Sequence, residues 1–247
     1  MLRMMVITAH PDDEAGGFGG SLRLYHDRGV ETCVLCLTPG QAATHRGGAK
    51  NDHELADMRR KEFAHSCEIL KVSRGIVLDY PDGHLHRQDV YRVVSDLTLQ
   101  LREFRPQVLL TFGPEGGVTA HPDHSMASLF ATLTFHWAGR DNRFPDQLDS
   151  RLKPHRAQKL YYASSDFVLS DRQPVTLSPI TTSIDASQYL ETKISAFKAH
   201  TTQAPLFPIL EQRLRGRLGH EKFHLAASVK PPVAGVENDL FACVVED

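Results

Sequence analysis

The sequence predicts an α/β fold in which a mostly parallel sheet is covered by helices on both faces of a single domain. Three observations carry that expectation. Short apolar, β-rich runs alternate with longer amphipathic segments through the first half, the pattern of βαβ units. A chain of 247 residues is ample for one such domain and its core. Hydrophobic residues make up 41% and charged residues 23%, the balance of a globular protein rather than a disordered one.

The elements follow in order. "MMVIT" (4–8) is a short apolar strand, and "SLRLYHDRG" (21–29) is a helix closed by Gly29. "VETCVLCLT" (30–38) is the second strand, "HELADMRRKEFAHSCEILKV" (53–72) a helix with an apolar stripe, and "GIVLDY" (75–80) the third strand. A turn at Pro81-Asp82-Gly83 leads to the amphipathic helix "DVYRVVSDLTLQLREF" (89–104), which Pro106 ends. "QVLLTF" (107–112) is the fourth strand and "SMASLFATLTFHWAG" (125–139) a helix. Beyond them, "KLYYAS" and "TTSID" read as strands, and "SQYLETKISAFKAH" and "ILEQRLRGRLGH" as helices. Residues 140–158 form the most polar stretch and are expected as a surface loop near a site entrance.

Composition also limits function. The net charge of −2 provides no basic footprint for nucleic acid. No run is long and apolar enough for a membrane span, and the opening residues are too short for a signal peptide, so a cytoplasmic location is the default expectation. Cys33 and Cys36 form a C-x-x-C within a strand. Strand alternation sends positions three apart to opposite faces, which argues against a shared metal and for buried structural cysteines. The glycines of "AGGFGGS" do not fit the dinucleotide fingerprint, because Leu22 stands where its last glycine belongs. They are expected to serve close helix–sheet packing and a tight turn.

The chemistry lies in two clusters, "AHPDDE" (9–14) after the first strand and "GPEGGVTAHPDHS" (113–125) after the fourth. Ligands in open parallel sheets bind beyond the carboxyl ends of the strands. If both strands are central, the clusters meet there. With Pro11 at a first helical position, His10 and Asp13 converge, and His124 supplies a third ligand. Two imidazoles and a carboxylate suit a catalytic zinc ion with one position open for water. They suit iron(II) equally. Such an ion lowers the pKa of water towards about 7. Asp12 is placed to accept a proton from that water, and His121 to steady an oxyanion or protonate a leaving amine. Glu14 is expected to support a ligand imidazole.

In these motifs the sequence resembles the LmbE-like or PIG-L-like N-acetylglucosaminyl deacetylases. "AHPDDE" and "HPDH" stand in that family's order, and "RRKE" (59–62), "YPDG" (80–83) and "KISAFKAHTTQ" (193–203) extend the likeness over about residues 4–203. That leaves 204–247 as a helical extension and tail of the one domain, 1–247. The resemblance implies a Rossmann-like fold and zinc held by His10, Asp13 and His124. It implies Asp12 as general base, His121 at the tetrahedral intermediate, and Arg59 and Asp82 in contact with a sugar-like, N-acylated small molecule. Assembly into trimers or hexamers is implied as well. It gives His200 no role. Thr119 departs from members that carry tyrosine there and act on sugar precursors of low-molecular-weight thiols. The sequence thus predicts a zinc-dependent hydrolase removing an N-acetyl group from an N-acetylglucosamine-type amide. The rival readings are a zinc amidase on a non-sugar N-acyl compound or thiol conjugate, an iron(II) oxygenase, and a non-catalytic binding protein.

Overall fold

The structure is a computed structural model and describes residues 1–167, 174–231 and 235–246. One seven-stranded sheet runs through it in the order β3-β2-β1-β4-β5-β7-β6. Strands β1 (Arg3–Thr8), β2 (Glu31–Cys36), β3 (Arg74–Val77), β4 (Val108–Phe112) and β5 (Lys159–Ser164) are parallel. Strand β7 (His220–Ser228) lies antiparallel between β5 and β6 (Thr182–Asp185). Helices α1 (Asp13–Asp27), α2 (Asp52–Leu70) and α5 (Leu190–Lys198) pack against one another, as do α3 (Val90–Phe104) and α4 (Pro122–Trp137), while α6 (Phe207–Gly216) rests on α5.

Burial explains why the central strands are uniformly apolar. Met4, Met5, Val6 and Ile7 of β1 are wholly buried, and so are Val108, Leu109 and Leu110 of β4. Both faces of these strands are covered, so alternation gives way to a continuous hydrophobic run. Each such side chain contributes about 1.5–3 kcal/mol. The register sets Met4 beside Val108 and Val6 beside Leu110. Strand order reverses between β1 and β4, so the segments leaving these two strands diverge and open a crevice between them.

Helix starts are fixed locally. Asn51 caps α2 by accepting from the Glu54 amide at 2.9 Å, and Asp89 caps α3 by accepting from Arg92 at 2.8 Å. Helix α1 begins at Asp13, well before the expected start, and contains all the glycines of "AGGFGGS". Their packing role holds, but the expected tight turn is absent. A Cβ on Gly20 would stand 2.8 Å from the Ala186 Cβ and 3.0 Å from a Glu221 carboxylate oxygen. That oxygen and its partner accept the amides of Gly20 and Ser21 at 2.9 and 2.8 Å. The cost of glycine inside a helix is accepted because a carboxylate from β7 must reach this backbone.

Two further expectations change. Residues 204–247 are not a helical extension and tail, because β7 is an integral strand of the sheet; residues 232–234 and 247 lie outside the described residues. The stretch 140–158 joins the end of α4 to the start of β5. It therefore lies at the amino edge of the sheet, opposite the crevice, rather than near a site entrance. Cys33, Cys36, Cys67 and Cys243 are unpaired, and the first three are buried. Among the described residues, no helix is long and apolar enough to cross a membrane.

Candidate metal centre and active site

Both motifs emerge at the crevice. The first loop leaves β1 and enters α1 through Asp12, whose φ of 114° is a strained value for a side-chain-bearing residue. The second loop leaves β4 and enters α4, with Pro122 in the first turn and the His121 ring as its cap. The ring centroids of His10 and His124 are 5.4 Å apart, and those of His10 and His121 are 4.8 Å apart.

The Asp13 carboxylate joins the two loops. One oxygen lies 3.5 Å from His10 Nδ1 and the other 3.2 Å from His124 Nε2. Donors bound to one tetrahedral ion at 2.0–2.1 Å stand about 3.3 Å from one another. The His10, His121 and His124 nitrogens also lie within 4.8 Å of one another, as do donor atoms of His10, Asp82 and Asp123. His124 is fixed from behind. Its ring stacks on Phe112 at 3.9 Å, and Nδ1 lies 3.3 Å from the Gly116 carbonyl, which leaves Nε2 for the cluster.

His10 is the hinge of the arrangement. Its Nδ1 faces Asp13, while Nε2 lies 3.0 Å from Asp82 and 3.5 Å from Asp123. These are charge contacts, since buried Nε2 lines up with neither carboxylate as a hydrogen bond. Burial disfavours a charged ring, but the Asp123, Asp13 and Asp82 carboxylates around it hold His10 well above the ordinary histidine range. Three carboxylates around one imidazole make a pocket that calls for positive charge, so this donor set fits a divalent cation.

The other residues sort by environment. Burial pushes Asp12 up to about 6, opposed by Arg59 and reinforced by Asp13. Burial, with His10 and His124 nearby, brings His121 down to about 4. His121 Nδ1 accepts the Asp123 amide at 3.1 Å, so the neutral ring carries its proton on Nε2. Arg59 is 3% exposed and donates to Asp12 at 2.9 Å, to the Gly40 carbonyl at 3.0 Å and to the Pro11 carbonyl. Asp82 is buried with its second oxygen on the Ala42 amide at 2.9 Å. His10, Asp12, Asp13, His121 and His124 line one cavity of about 400 Å³, and Arg59 and Asp82 are buried beside it, in contact with Asp12 and His10.

Glu14 supports no residue of the cluster's metal-facing set. It accepts from Ser66 at 2.6 Å and from the Asp12 amide at 2.9 Å, and it pairs with the buried His200 at 2.7 Å. His200 therefore meets a buried carboxylate from the first motif. Asp123 was not singled out from the sequence. It is wholly buried, and it accepts the Gly83 amide at 2.7 Å and the Leu85 amide at 3.2 Å. Its only signal was its place inside "HPDH".

The fold and cluster together define a Rossmann-like α/β protein with a cation-seeking His/Asp centre at its switch point. The chain belongs to the GlcNAc-PI de-N-acetylase (PIG-L) family, whose pattern matches residues 5–135. It is 30% identical to a 1D-myo-inositol 2-acetamido-2-deoxy-alpha-D-glucopyranoside deacetylase 2 of Catenulispora acidiphila, over 97% of this chain and 96% of that protein. It is 27% identical to a mycothiol S-conjugate amidase of Streptomyces coelicolor, over 82% of each. Its structure is similar to N,N'-diacetylchitobiose deacetylase from Pyrococcus horikoshii, with a TM-score of 0.71 and 25% identity over 90% of this chain and 83% of that one.

Proposed function

We propose that this protein is a zinc-dependent hydrolase that removes an N-acetyl group from an N-acetylglucosamine-type amide. The observation that carries this reading is the meeting of two distant loops in one cleft, with Asp13 between His10 and His124, in a chain of a de-N-acetylase family. His10, Asp13 and His124 would hold the ion, with zinc favoured by the mixed nitrogen and oxygen set and iron(II) the alternative. A bound divalent cation supplies Lewis acidity, which makes water a nucleophile near neutral pH.

The chain's own residues do the rest. Asp12 accepts a proton from the attacking water as its oxygen bonds to the amide carbon. His121 donates its Nε2 proton in a hydrogen bond to the carbonyl oxygen as negative charge develops there. Asp12 then returns the proton to the amide nitrogen as the C–N bond breaks, releasing acetate and the amine. Asp82 and Asp123 act behind His10, orienting its ring. The test is metal analysis of the purified protein with acetate release across a panel of N-acetylated sugars. One bound zinc per chain and turnover of a glucosamine derivative are expected. Metal-replete protein that is inert on every sugar would refute the reading.

A second reading, an amidase on thiol S-conjugates, is favoured by the far wall of the cleft. Leu177, Phe197, Leu206, Ile209, Leu210 and Leu214 line it together with Arg213, Arg217 and Lys222, which offers an apolar substituent with a charged end both kinds of contact. Amide substrates with and without an S-linked apolar group separate the two readings. The four unpaired cysteines support a reducing, cytoplasmic setting. Assembly into trimers or hexamers, which the family resemblance implies, is read by light scattering.

A further inference from the structure

The cleft has two chemically different ends. At one stand the metal-seeking residues of the two loops. Phe197 of α5 adjoins that end, since a Cβ on Gly16, in the first turn of α1, would lie 3.8 Å from its ring. Phe207 packs on Phe197 with ring centroids 5.9 Å apart, so α6 starts there. The side of α6 that borders the cleft then carries Ile209, Leu210, Arg213, Leu214 and finally Arg217. These positions recur every three or four residues and form one stripe of a helix. The stripe passes from apolar to cationic over about 12 Å. Arg217 also borders a second hollow of about 670 Å³, so it stands where the one cavity meets the other.

A cation at the end of a helix is commonplace, because it answers the helix dipole. The charges around Arg217 set it apart. Arg215 is spent on Glu191 and Glu211, and Lys222 donates to Asp166. Glu221, which borders the cavity, holds Lys193 and the amides of Gly20 and Ser21. These carboxylates are engaged elsewhere, and Arg217 has no ion-pair partner among the described residues. Its Nε is buried without an acceptor, a cost that an incoming oxyanion would remove. The guanidinium lies over the Phe167 ring, 5.3 Å from the centroid. Packed on an aromatic face, its fork of N–H donors is pre-organised for the paired oxygens of a carboxylate or phosphate. Residues 207–222 fall outside the 5–135 that the family pattern matches, so the chemistry that pattern shares does not account for them.

We propose that Arg217 binds an oxyanion on the substrate, an N-acetylated sugar whose far substituent crosses the apolar stripe and ends in a carboxylate or a phosphate. This rests on the reading of the metal end as a deacetylase site.

The test uses the full-length, zinc-loaded protein and N-acetylglucosaminides with a hexyl aglycone that ends in methyl, carboxylate, phosphate or ammonium. The wild type hydrolyses an oxyanion form with kcat/KM about 10–100-fold above the methyl form, the scale of one hydrogen-bonded charge pair. The gain lies in KM, and the ammonium form falls below the methyl form. Carboxylate ahead of phosphate assigns a carboxylic acid substituent, and the reverse assigns a phosphate ester. Arg217→Ala brings the ratio of oxyanion to methyl form near one. Arg217→Glu inverts it in favour of ammonium, which the loss of a merely structural arginine would not do. Equal kcat/KM for the methyl and both oxyanion forms overturns the proposal, as does an oxyanion preference that survives in Arg217→Ala. Calorimetry with the de-N-acetylated glycosides reads binding without turnover. There the oxyanion forms bind the wild type more tightly than the methyl form and lose that advantage in Arg217→Ala; equal binding overturns the subsite. A wild type inert on every sugar would defeat the deacetylase reading, while calorimetry would still decide the oxyanion site.

Discussion

Two buried arginines use the same side chain in opposite ways. Arg102, on α3, spends its five N–H groups on five acceptors: the carbonyls of Ala138, Arg140, Arg143 and Phe144 and the amide oxygen of Gln147, at 2.7–3.2 Å. Nothing is left over, and the whole arrangement folds residues 138–147 against the amino edge of the sheet. Arg59 has three acceptors, and its Nε is buried without a partner. A guanidinium satisfied on all sides serves architecture. Arg59 leaves one donor orphaned while it binds the Pro11 carbonyl and the Asp12 carboxylate of the strained loop after β1, the kind of cost structures tolerate near functional sites.

The comparison can be broken most severely at Asp12. Asp12→Asn is expected to lower kcat by about 10²–10⁴-fold, the range for a lost general base, with metal content and urea midpoint near wild type. A variant within a few-fold of wild type would remove Asp12 as the base. Arg102→Met should do the reverse. Leaving buried carbonyls unpaired costs at least about 3 kcal/mol, read as a lower urea midpoint, while kcat of the folded fraction is unchanged. A loss of kcat at full stability would mean that the two edges of the sheet are coupled. Asp82→Ala is the smallest of the three. Losing a partner behind His10 is expected to weaken metal affinity about 10–100-fold, measured by chelator competition. Unchanged affinity with a raised KM would return Asp82 to the substrate.

Much of the site was legible in order, because chemistry there is local. "AHPDDE" and "HPDHS" each follow a strand whose apolar run marks it as central. Strand β7 was not legible. "HEKFHLAAS" reads as polar, and Glu221 looks like a surface residue. It is buried because Lys193 and the Gly20 and Ser21 amides pair with it, partners that are distant in sequence. The same reason hid the Glu14–His200 pair, which joins residues 186 positions apart. The polar composition of 140–158 signalled a loop, but polarity does not say which edge of a sheet a loop occupies.

By itself the sequence determined which residues could do chemistry and which strands would be central, since hydrophobic period and donor type are properties of neighbouring residues. Only the tertiary structure decided how each charged group is buried and what it meets. Asp12 and His121 line the cavity, and Arg59 and Asp82 are buried beside it. That difference depends on packing between elements far apart in the chain, where burial and the choice of partner raise the pKa of Asp12 and lower that of Asp82.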